Sequence, residues 1–256
     1  MPGATPAYEQ WHGEKTSKGA RKLTKTIYFD KYHKTLELER PDVVHDQDGS
    51  TAEQIAYFVR DVGYVFDKVV IDALKANPTG ADGVSLINDS HPYSGTDNKT
   101  TDALNFDVWD AAVAAMAGFS DEYGEPLGVR PDTLIVHPDE RRIALEIAQA
   151  DARPVSVGTG GEITINGSGL GATNMTNIHK GAFDVIVSAR WTSGKWMAID
   201  SRFPPMGLVV WRDPQTVILD RMEDLPRFMK DKLIYSVEAD LAADGVQHLG
   251  CYGNLA

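Results

Sequence analysis

The sequence contains very little cysteine and no long apolar segment. The single cysteine among 256 residues, Cys251, excludes an intrachain disulfide and favours a reducing compartment. No apolar run approaches the roughly 20 residues of a membrane-spanning helix. The first fifteen residues, MPGATPAYEQWHGEK, lack the apolar stretch of a secretory signal. With 42% hydrophobic and 24% charged residues, we expect a soluble globular protein of one large domain or two smaller ones.

Positive charge is scarce outside one short region. The formal net charge is −12, which argues against a general nucleic-acid binder. Residues 14–34 contain seven basic and two acidic residues, whereas the remainder contains 18 basic and 35 acidic residues, a net charge of −17. The basic region is either a solvated charged face or a surface complementary to the acidic body of another copy.

Signatures of catalysis and of ligand binding are also missing. The glycine-rich segment 158–173 lacks the lysine and the helix start of a phosphate-binding loop, so we expect a flexible surface loop. None of the seven histidines has the spacing of a helical zinc site. His91 and His137 each precede a proline, which favours a turn or a helix cap over an acid–base pair. Cys251 is predicted to be a small buried apolar residue. We therefore predict a protein that is not an enzyme and has no cofactor or metal site.

A basic stretch near the start of the chain has the pattern of exposed strands. KLTKTIYFDKYHKTLELERPDVV, residues 22–44, alternates apolar and polar side chains with a period of two. A polar stretch at 31–34 divides it, and we predict a β-hairpin with its tip there. An isolated two-stranded hairpin is at best marginally stable in water, so it must lie against another surface.

Residues 50–76 show the clearest helical pattern. Apolar residues recur there with the spacing of one helical face, and the sequence NPTG at 77–80 ends the pattern. Ser50 and Glu53 have the spacing of an N-terminal capping box. About 26 residues at ~1.5 Å each give a helix near 40 Å long, which is typical of a structural spine.

The remaining elements mix helices and strands without a regular βαβ alternation, so the predicted fold class is α+β. We predict helices at 106–119 and 139–151, a buried strand at 132–138, a hairpin of strands 183–190 and 195–200, strands at 206–212 and 215–221, and two long closing strands around 243–245.

Four stretches in order resemble the major head (capsid) subunits of Mu-like phages and prophages, which have the Hong Kong 97-type capsid fold. YEQWHGEK is similar to the family's W-x-G-E-R. The stretch 90–140 resembles the family's middle, with a His-Pro loop and Gly-x-Pro-Leu, and IYSVEADLAADGVQHLGCYGN resembles its closing strands. KYHKTLELERPDVVHDQDG is similar to a further family motif through Tyr32, Thr35, Leu36, Leu38, Arg40, Asp42, Asp46 and Gly49.

The sequence departs from the family pattern at a few positions. Lys15 and Asp240 stand where arginine is expected, and His33 and His45 stand where acidic residues are expected. These exchanges put particular intersubunit ion pairs in question, and leave the fold expectation intact. The family usually has a longer N-terminal arm, and cleavage, truncation or a naturally short arm would each explain the difference.

The resemblance implies the domain organisation of a capsid subunit. It assigns 1–13 to an N-terminal arm, 14–46 to an extended β-hairpin loop that reaches a neighbouring subunit, 47–129 to a peripheral domain with the spine helix 50–76, 130–222 to an axial domain, and 223–256 to the closing strands of the peripheral domain. The basic residues of the extended loop are expected to contact another subunit: Lys22, Lys25, Lys31, Lys34 and Arg40.

The resemblance also implies a function. The chain would be the major capsid protein of a tailed phage or prophage, assembling in the host cytoplasm into pentamers and hexamers of an icosahedral virion shell around double-stranded DNA. Decoration, scaffold and portal proteins are the further expected partners, with no sequence-specific DNA binding and no membrane. Two alternatives stay open: an encapsulin-like nanocompartment or gene-transfer particle, and a small soluble enzyme or carbohydrate-binding module.

Overall fold

The computed structural model describes residues 23–92, 94–153, 175–219 and 231–255. The chain divides into two compact units. Unit 1 comprises Met1–Lys25, Lys75–Pro205 and Gly245–Ala256, and unit 2 comprises Thr26–Leu74 and Met206–Asp244. Among the described helices, none combines the length and apolar character needed to span a bilayer.

The elements mix helices and strands without a regular alternation, as the α+β prediction requires. The helices are α1 Arg40–Val44, α2 Ser50–Val62, α3 Tyr64–Lys75, α4 Phe106–Ala117 and α5 Arg141–Gln149, with a 3₁₀ turn at Pro138–Glu140. The strands are β1 Asp30–Glu39, β2 Thr133–Val136, β3 Ala152–Arg153, β4 Met175–Thr176, β5 Asp184–Val187, β6 Trp196–Ile199, β7 Met206–Leu219, β8 Lys232–Gly245 and β9 Cys251–Asn254.

Unit 2 contains a three-stranded sheet in the order β1-β8-β7. β1 pairs antiparallel with β8, in a register that places Asp30 opposite Leu241 and Glu39 opposite Lys232. On the inner face, Tyr32 packs against a small core of Val69, Ala239 and Leu241, so α3 covers the sheet. On the other face of β1 the side chains are exposed and polar, which is the alternation expected of a half-buried strand.

The predicted hairpin at 22–44 is wrong. β1 continues straight through the expected tip at 31–34, and residues 23–29 form no strand. The partner of β1 is β8, about 200 residues later in the chain. Alternation predicts a strand correctly but carries no information about its partner, and β8 offers ten ladder positions that a short local hairpin lacks.

The predicted spine helix extends as expected but is interrupted once. α2 and α3 together span residues 50–75, with Gly63 between them in the right-handed helical region (φ −62°, ψ −27°). Glycine within a helix is unfavourable by roughly 1 kcal/mol relative to alanine, which makes this position the weak point of the helix.

The predicted capping box of α2 is not formed. The N-cap is Gly49, at φ 78°. Because glycine has no side chain, a residue before it must accept the hydrogen bonds of the first turn. Asp46 accepts hydrogen bonds from the backbone N–H of Gly49 (2.9 Å) and of Thr51 (3.1 Å). The first turn is therefore satisfied by a carboxylate outside the helix rather than by Ser50.

Unit 1 is built on a four-stranded sheet in the order β5-β2-β6-β9. β2 is parallel to β5 and antiparallel to β6, and β6 is antiparallel to β9. Helices α4 and α5 contribute to the core of this unit. Its large side chains are almost completely buried, among them Trp109, Met116, Leu134, Ile147 and Trp196. The predicted helices 106–119 and 139–151 and the predicted strand 132–138 are thus confirmed as α4, α5 and β2.

Three strand predictions in the second half of the chain need correction. β5 and β6 form no hairpin, because the buried apolar strand β2 lies between them. The strands predicted at 206–212 and 215–221 are one strand, β7, which tolerates Pro214 since an edge strand can lose a ladder donor. Of the two long closing strands, β8 is long, but β9 has only four residues.

Gly253 shows how closely β9 approaches β6. A Cβ atom at this position would lie 2.4 Å from the carbonyl oxygen of Trp196 and 3.0 Å from the Cα of Met197. No side chain fits between these backbones, so glycine is required for the pairing that closes the sheet.

Candidate interaction surface

The basic residues predicted to contact another subunit have partners in their own chain. Lys31 Nζ lies 2.9 Å from Glu238 Oε2, and Lys34 Nζ lies 2.7 Å from Asp61 Oδ2. Arg40 lies 3.6 Å from the carboxylate of Asp231, and Lys25 donates to the carbonyl oxygen of Thr79. Lys22 lies outside the described residues.

These ion pairs are half exposed. The side chains of Lys31 and Lys34 are 55% and 51% exposed, and the ammonium groups hold the pKa of Glu238 and of Asp61 below the ordinary range through hydrogen bonds. Exposed pairs contribute little to stability, because water and salt screen them. The charges therefore remain accessible to a second molecule even though each has a partner within the chain.

Asp240, one of the departures from the family pattern, also has a partner within unit 2. Its carboxylate accepts from the guanidinium of Arg212 at 2.7 and 2.9 Å. Arg212 is also 3.9 Å from Glu238, so the outer face of the sheet carries alternating charges across three strands. This arrangement satisfies an acidic residue where arginine was expected, without involving another copy.

Exposed apolar side chains concentrate in unit 2. Of the thirteen large apolar side chains that are exposed in the described residues, two belong to unit 1, Ile178 and Ile186. The other eleven belong to unit 2 and come from the residues before β1, from the α1–α3 region and from β7: Tyr28, Phe29, Val44, Tyr57, Val59, Tyr64, Leu208, Val210, Trp211, Val217 and Ile218.

Two of these exposed side chains form an aromatic pair. The rings of Phe29 and Trp211 are stacked, with centroids 5.5 Å apart and an angle of 5° between the planes. Trp211 remains 72% exposed and the neighbouring Tyr28 is 82% exposed. Large exposed aromatic groups in a soluble chain are typical of protein–protein contact sites.

The sheet of unit 2 also has open edges. In the order β1-β8-β7, the described strands leave one edge of β1 and one edge of β7 without a neighbour. Unpaired backbone N–H and C=O groups on a 14-residue edge strand are a template for pairing with another chain. Exposed apolar groups, accessible charges and open edges thus coincide in one unit.

Unit 1 contains a buried polar cluster that sequence reasoning missed. Three residues, hereafter the histidine cluster, each place one atom that could bind a metal ion within 4.8 Å of the other two: Asp82, His91 and His248. The imidazole rings of His91 and His248 are stacked, with centroids 3.6 Å apart and planes at 7°. His91 begins a turn, as predicted, because Gly95 N–H donates to its carbonyl oxygen, but its side chain is fully buried.

The geometry of the histidine cluster does not suit a shared metal ion. The lone pair of an imidazole nitrogen lies in the ring plane, and two stacked, nearly parallel rings with centroids 3.6 Å apart cannot both hold one ion in their planes. A serine–histidine–aspartate contact also runs from Ser94 through His248 to Asp82. However, Ser94 Oγ already accepts from Thr96, and the neighbouring Gly95 N–H, a candidate oxyanion donor, is bonded to His91 O.

His137 and Cys251 behave as the sequence predicts. His137 caps the 3₁₀ turn by accepting from the backbone N–H of Asp139. Cys251 is completely buried, and burial raises the pKa of its thiol far above the ordinary range, so it is not a nucleophile. The glycine-rich segment 158–173, predicted to be a flexible loop, lies outside the described residues.

Comparisons with known proteins agree on one family and one fold. The profile of a family described as phage capsid protein matches residues 22–254. A search of curated proteins finds no match. The structure resembles the decorated capsid of bacteriophage JBD30, with a TM-score of 0.56 and 16% identity over 75% of this chain and 84% of that chain.

Two further solved structures show the same fold. A chain of Mycobacterium phage Bobi has a TM-score of 0.52 and 16% identity, covering 99% of this chain and 81% of that chain. A virus-like particle from Pyrococcus furiosus has a TM-score of 0.52 and 12% identity, covering 94% and 82%. The predicted Hong Kong 97-type fold is thereby confirmed.

Proposed function

Since the chain belongs to the phage capsid protein family and is a major capsid protein that forms the shell, we propose that its copies join through the surface of unit 2. The observation that carries this proposal is the distribution of exposed large apolar side chains, of which eleven of the thirteen among the described residues lie in unit 2. An exposed apolar surface is unfavourable in a monomer and is stabilised when a second copy covers it.

The basic residues of the extended loop are proposed as a second part of this surface. They are Lys22, Lys25, Lys31, Lys34 and Arg40. The half-exposed pairs of Lys31, Lys34 and Arg40 support this role, because weak intrachain pairs exchange readily for contacts with the acidic body of a neighbour. Complementary charge of this kind affects the rate and register of association more than its affinity.

The domain organisation of the Hong Kong 97-type subunit is proposed with the boundaries that the sequence predicts, although the two compact units divide the chain differently, with β7 in unit 2 and with α4 and β9 in unit 1. Residues 14–46 are the extended loop, 47–129 and 223–256 the peripheral domain, and 130–222 the axial domain. The strand pairing of β1 with β8 supports joining the loop to the closing strands, and the two helices at 50–75 support a spine.

We propose that the shell is icosahedral, encloses double-stranded DNA and assembles in the host cytoplasm. The net charge of −12 supports an interior that does not adhere to DNA, which lets packaged DNA move. Decoration, scaffold and portal proteins are proposed as partners. The JBD30 capsid, whose fold is similar, is decorated with minor capsid protein trimers.

A nanocompartment or gene-transfer particle is the second candidate. The observation that favours it is the resemblance of the fold to a virus-like particle from Pyrococcus furiosus. The two candidates differ in content, because a phage shell purifies with DNA and a nanocompartment with cargo protein. An enzyme or carbohydrate-binding module using the glycine-rich loop has no comparable support.

Assembly of matched variants tests the proposal. Trp211→Ser removes an exposed aromatic side chain of unit 2, and Ile178→Ser removes an exposed apolar side chain of unit 1 that is 79% exposed. Size-exclusion chromatography with negative-stain microscopy should show shells for the unaltered chain and for Ile178→Ser, and folded unassembled subunits for Trp211→Ser. Normal shells from Trp211→Ser, or equal loss from both variants, would overturn the assignment to unit 2.

A further inference from the structure

A long segment of unit 1 is held in place without helix or strand. Residues 76–105 connect α3 to α4, and those of them that the structure describes form only isolated bridges, yet Leu86, His91 and Asn98 are almost completely buried. Backbone hydrogen bonds within the segment satisfy part of its buried polar groups, and side chains satisfy others. The histidine cluster and Asn98 supply these contacts.

Asn98 is oriented by four partners. Its Nδ2 donates to the carbonyl oxygens of Leu86 (2.6 Å), Cys251 (3.2 Å) and His248 (3.3 Å), and its Oδ1 accepts from the N–H of Asn88 (2.8 Å). Exchanging the amide oxygen and nitrogen would place acceptor against acceptor at three contacts. The atom that faces Nε2 of His91 at 3.3 Å is therefore the oxygen.

This orientation fixes the protons on His91. Its Nε2 faces the amide oxygen of Asn98, and its Nδ1 lies 2.6 Å from the carboxylate of Asp82. Both neighbours are acceptors, so both ring nitrogens carry a proton and the ring is an imidazolium paired with Asp82. The charge of Asp82 is balanced by this one cation.

The second ring, His248, is in a different state. Its Nδ1 lies 3.2 Å from the same Asp82 oxygen, and its Nε2 accepts from the hydroxyl of Ser94 at 3.1 Å. Ser94 Oγ in turn accepts from Thr96. A neutral imidazole satisfies these contacts, whereas a second imidazolium would point a proton at an oxygen that already accepts two hydrogen bonds.

We propose that the histidine cluster is an acid-sensitive device: protonation of His248 puts a second cation against His91, breaks the cluster and releases the segment 76–105 from strand β9. Burial, followed by the positive charge of His91, lowers the pKa of His248 from 6.5 to about 4. The other titratable groups that face the ring among the described residues are Asp82 and Cys251, and the Cys251 thiol is uncharged throughout this range.

The contacts that would be lost lie next to His248 in the chain. The backbone of Asn98 and of Thr100 is bonded to Gly253 in β9, and Cys251 N–H donates to the carbonyl of His248. β9 has only four residues paired with β6, so its attachment depends on this neighbourhood. Opening of the cluster is therefore expected to expose the backbone of 86–100 and 251–254 together.

Hydrogen–deuterium exchange on unassembled subunits tests the proposal. After correction for the intrinsic rate, the opening constant of 86–100 and 251–254 should rise up to tenfold per pH unit as the pH falls from about 6.5 towards 4, because one proton is taken up on opening. His248→Asn keeps a donor near Asp82 but cannot titrate, so it should remove this pH dependence. His33→Asn, an exposed histidine of β1, should leave it unchanged.

If His248→Asn does not fold, a second measurement tests whether protonation of His248 releases β9. An NMR titration of the unaltered chain with labelled histidine should show His248 neutral at pH 6, and its protonation should coincide with loss of protection in 251–254. Protection that is independent of pH, or protonation of His248 with β9 still protected, would overturn the proposal. Equal effects of His33→Asn and His248→Asn would do the same.

Discussion

Lys34 of β1 and Asp61 of α2 form an ion pair, with Nζ 2.7 Å from Oδ2, that joins these two elements within unit 2. The ammonium group also lies 5.4 Å from the centre of the Phe58 ring. Lys34, which is predicted to contact a neighbouring subunit, therefore forms an ion pair within its own chain. The question for assembly is whether this partner is retained or exchanged when copies meet.

Exchanging the charges of Lys34 and Asp61 distinguishes an ion pair that is retained on assembly from one that is exchanged for contacts with another copy. The double variant Lys34→Glu with Asp61→Lys keeps the intrachain pair but reverses the charge of the loop. If Lys34 contacts the acidic body of another copy, the double variant should melt at the temperature of the unaltered chain and still fail to form shells. Thermal unfolding and negative-stain microscopy on the same preparation measure both properties.

The single variant Lys34→Glu is the control for this exchange. It places two carboxylates together at an exposed site, so the melting temperature should fall only slightly. Shells of normal yield from the double variant would show that the pair acts only within the chain.

Asp46 is predicted to stabilise the start of α2. It bonds the backbone N–H groups of Gly49 and Thr51, so Asp46→Ala should lower the free energy of unfolding by about 1 kcal/mol. Ser50→Ala, which alters the residue that sequence spacing assigns as the cap, should change it by less than roughly 0.5 kcal/mol. Urea unfolding followed by circular dichroism measures both, and a larger loss from Ser50→Ala would contradict the structure.

Gly253→Ala is predicted to damage the closing strand. Its methyl group would lie 2.4 Å from the carbonyl oxygen of Trp196, which backbone movement must relieve, at about 2–3 kcal/mol or more. Gly63→Ala is a matched control with the opposite sign. Nothing lies within 3.7 Å of its new methyl group, and alanine favours helix over glycine by roughly 1 kcal/mol. A neutral Gly253→Ala would contradict the close approach of β9 to β6.

Local patterns in the sequence predict the elements well. The periodicity of 106–119 gives α4 within two residues, and the short apolar run at 132–138 gives β2. These predictions succeed because helix spacing and strand burial are properties of neighbouring residues. The family motifs add the fold itself, which periodicity does not determine.

Long-range relationships are what the sequence does not reveal. β1 pairs with a strand 200 residues away, and β2 separates two strands that look like a hairpin. The histidine cluster joins Asp82, His91 and His248, the last more than 150 residues further on. No spacing rule finds such a set. The one signal was that His91 and His248 lie within the stretches that carry the family resemblance.

Stability should depend on pH through His248. Because burial and the charge of His91 lower its pKa in the folded state to about 4 from 6.5, the unfolded chain binds more protons between these values. The contribution of neutral His248 to the free energy of unfolding is complete above about pH 6.5 and is lost as the pH falls towards 4. The full loss is roughly 3 kcal/mol, at about 1.4 kcal/mol for each pH unit.

Urea unfolding of unassembled subunits at pH 7.5, 6, 5 and 4 measures this loss. His248→Asn should be less stable than the unaltered chain at pH 7.5 and should approach it at pH 4, since the asparagine takes up no proton. His33→Asn should follow the unaltered chain at every pH, because its ring is exposed in β1. A constant difference between His248→Asn and the unaltered chain across the series would show that His248 does not titrate in this range, and would remove the physical basis of the acid-sensitive device.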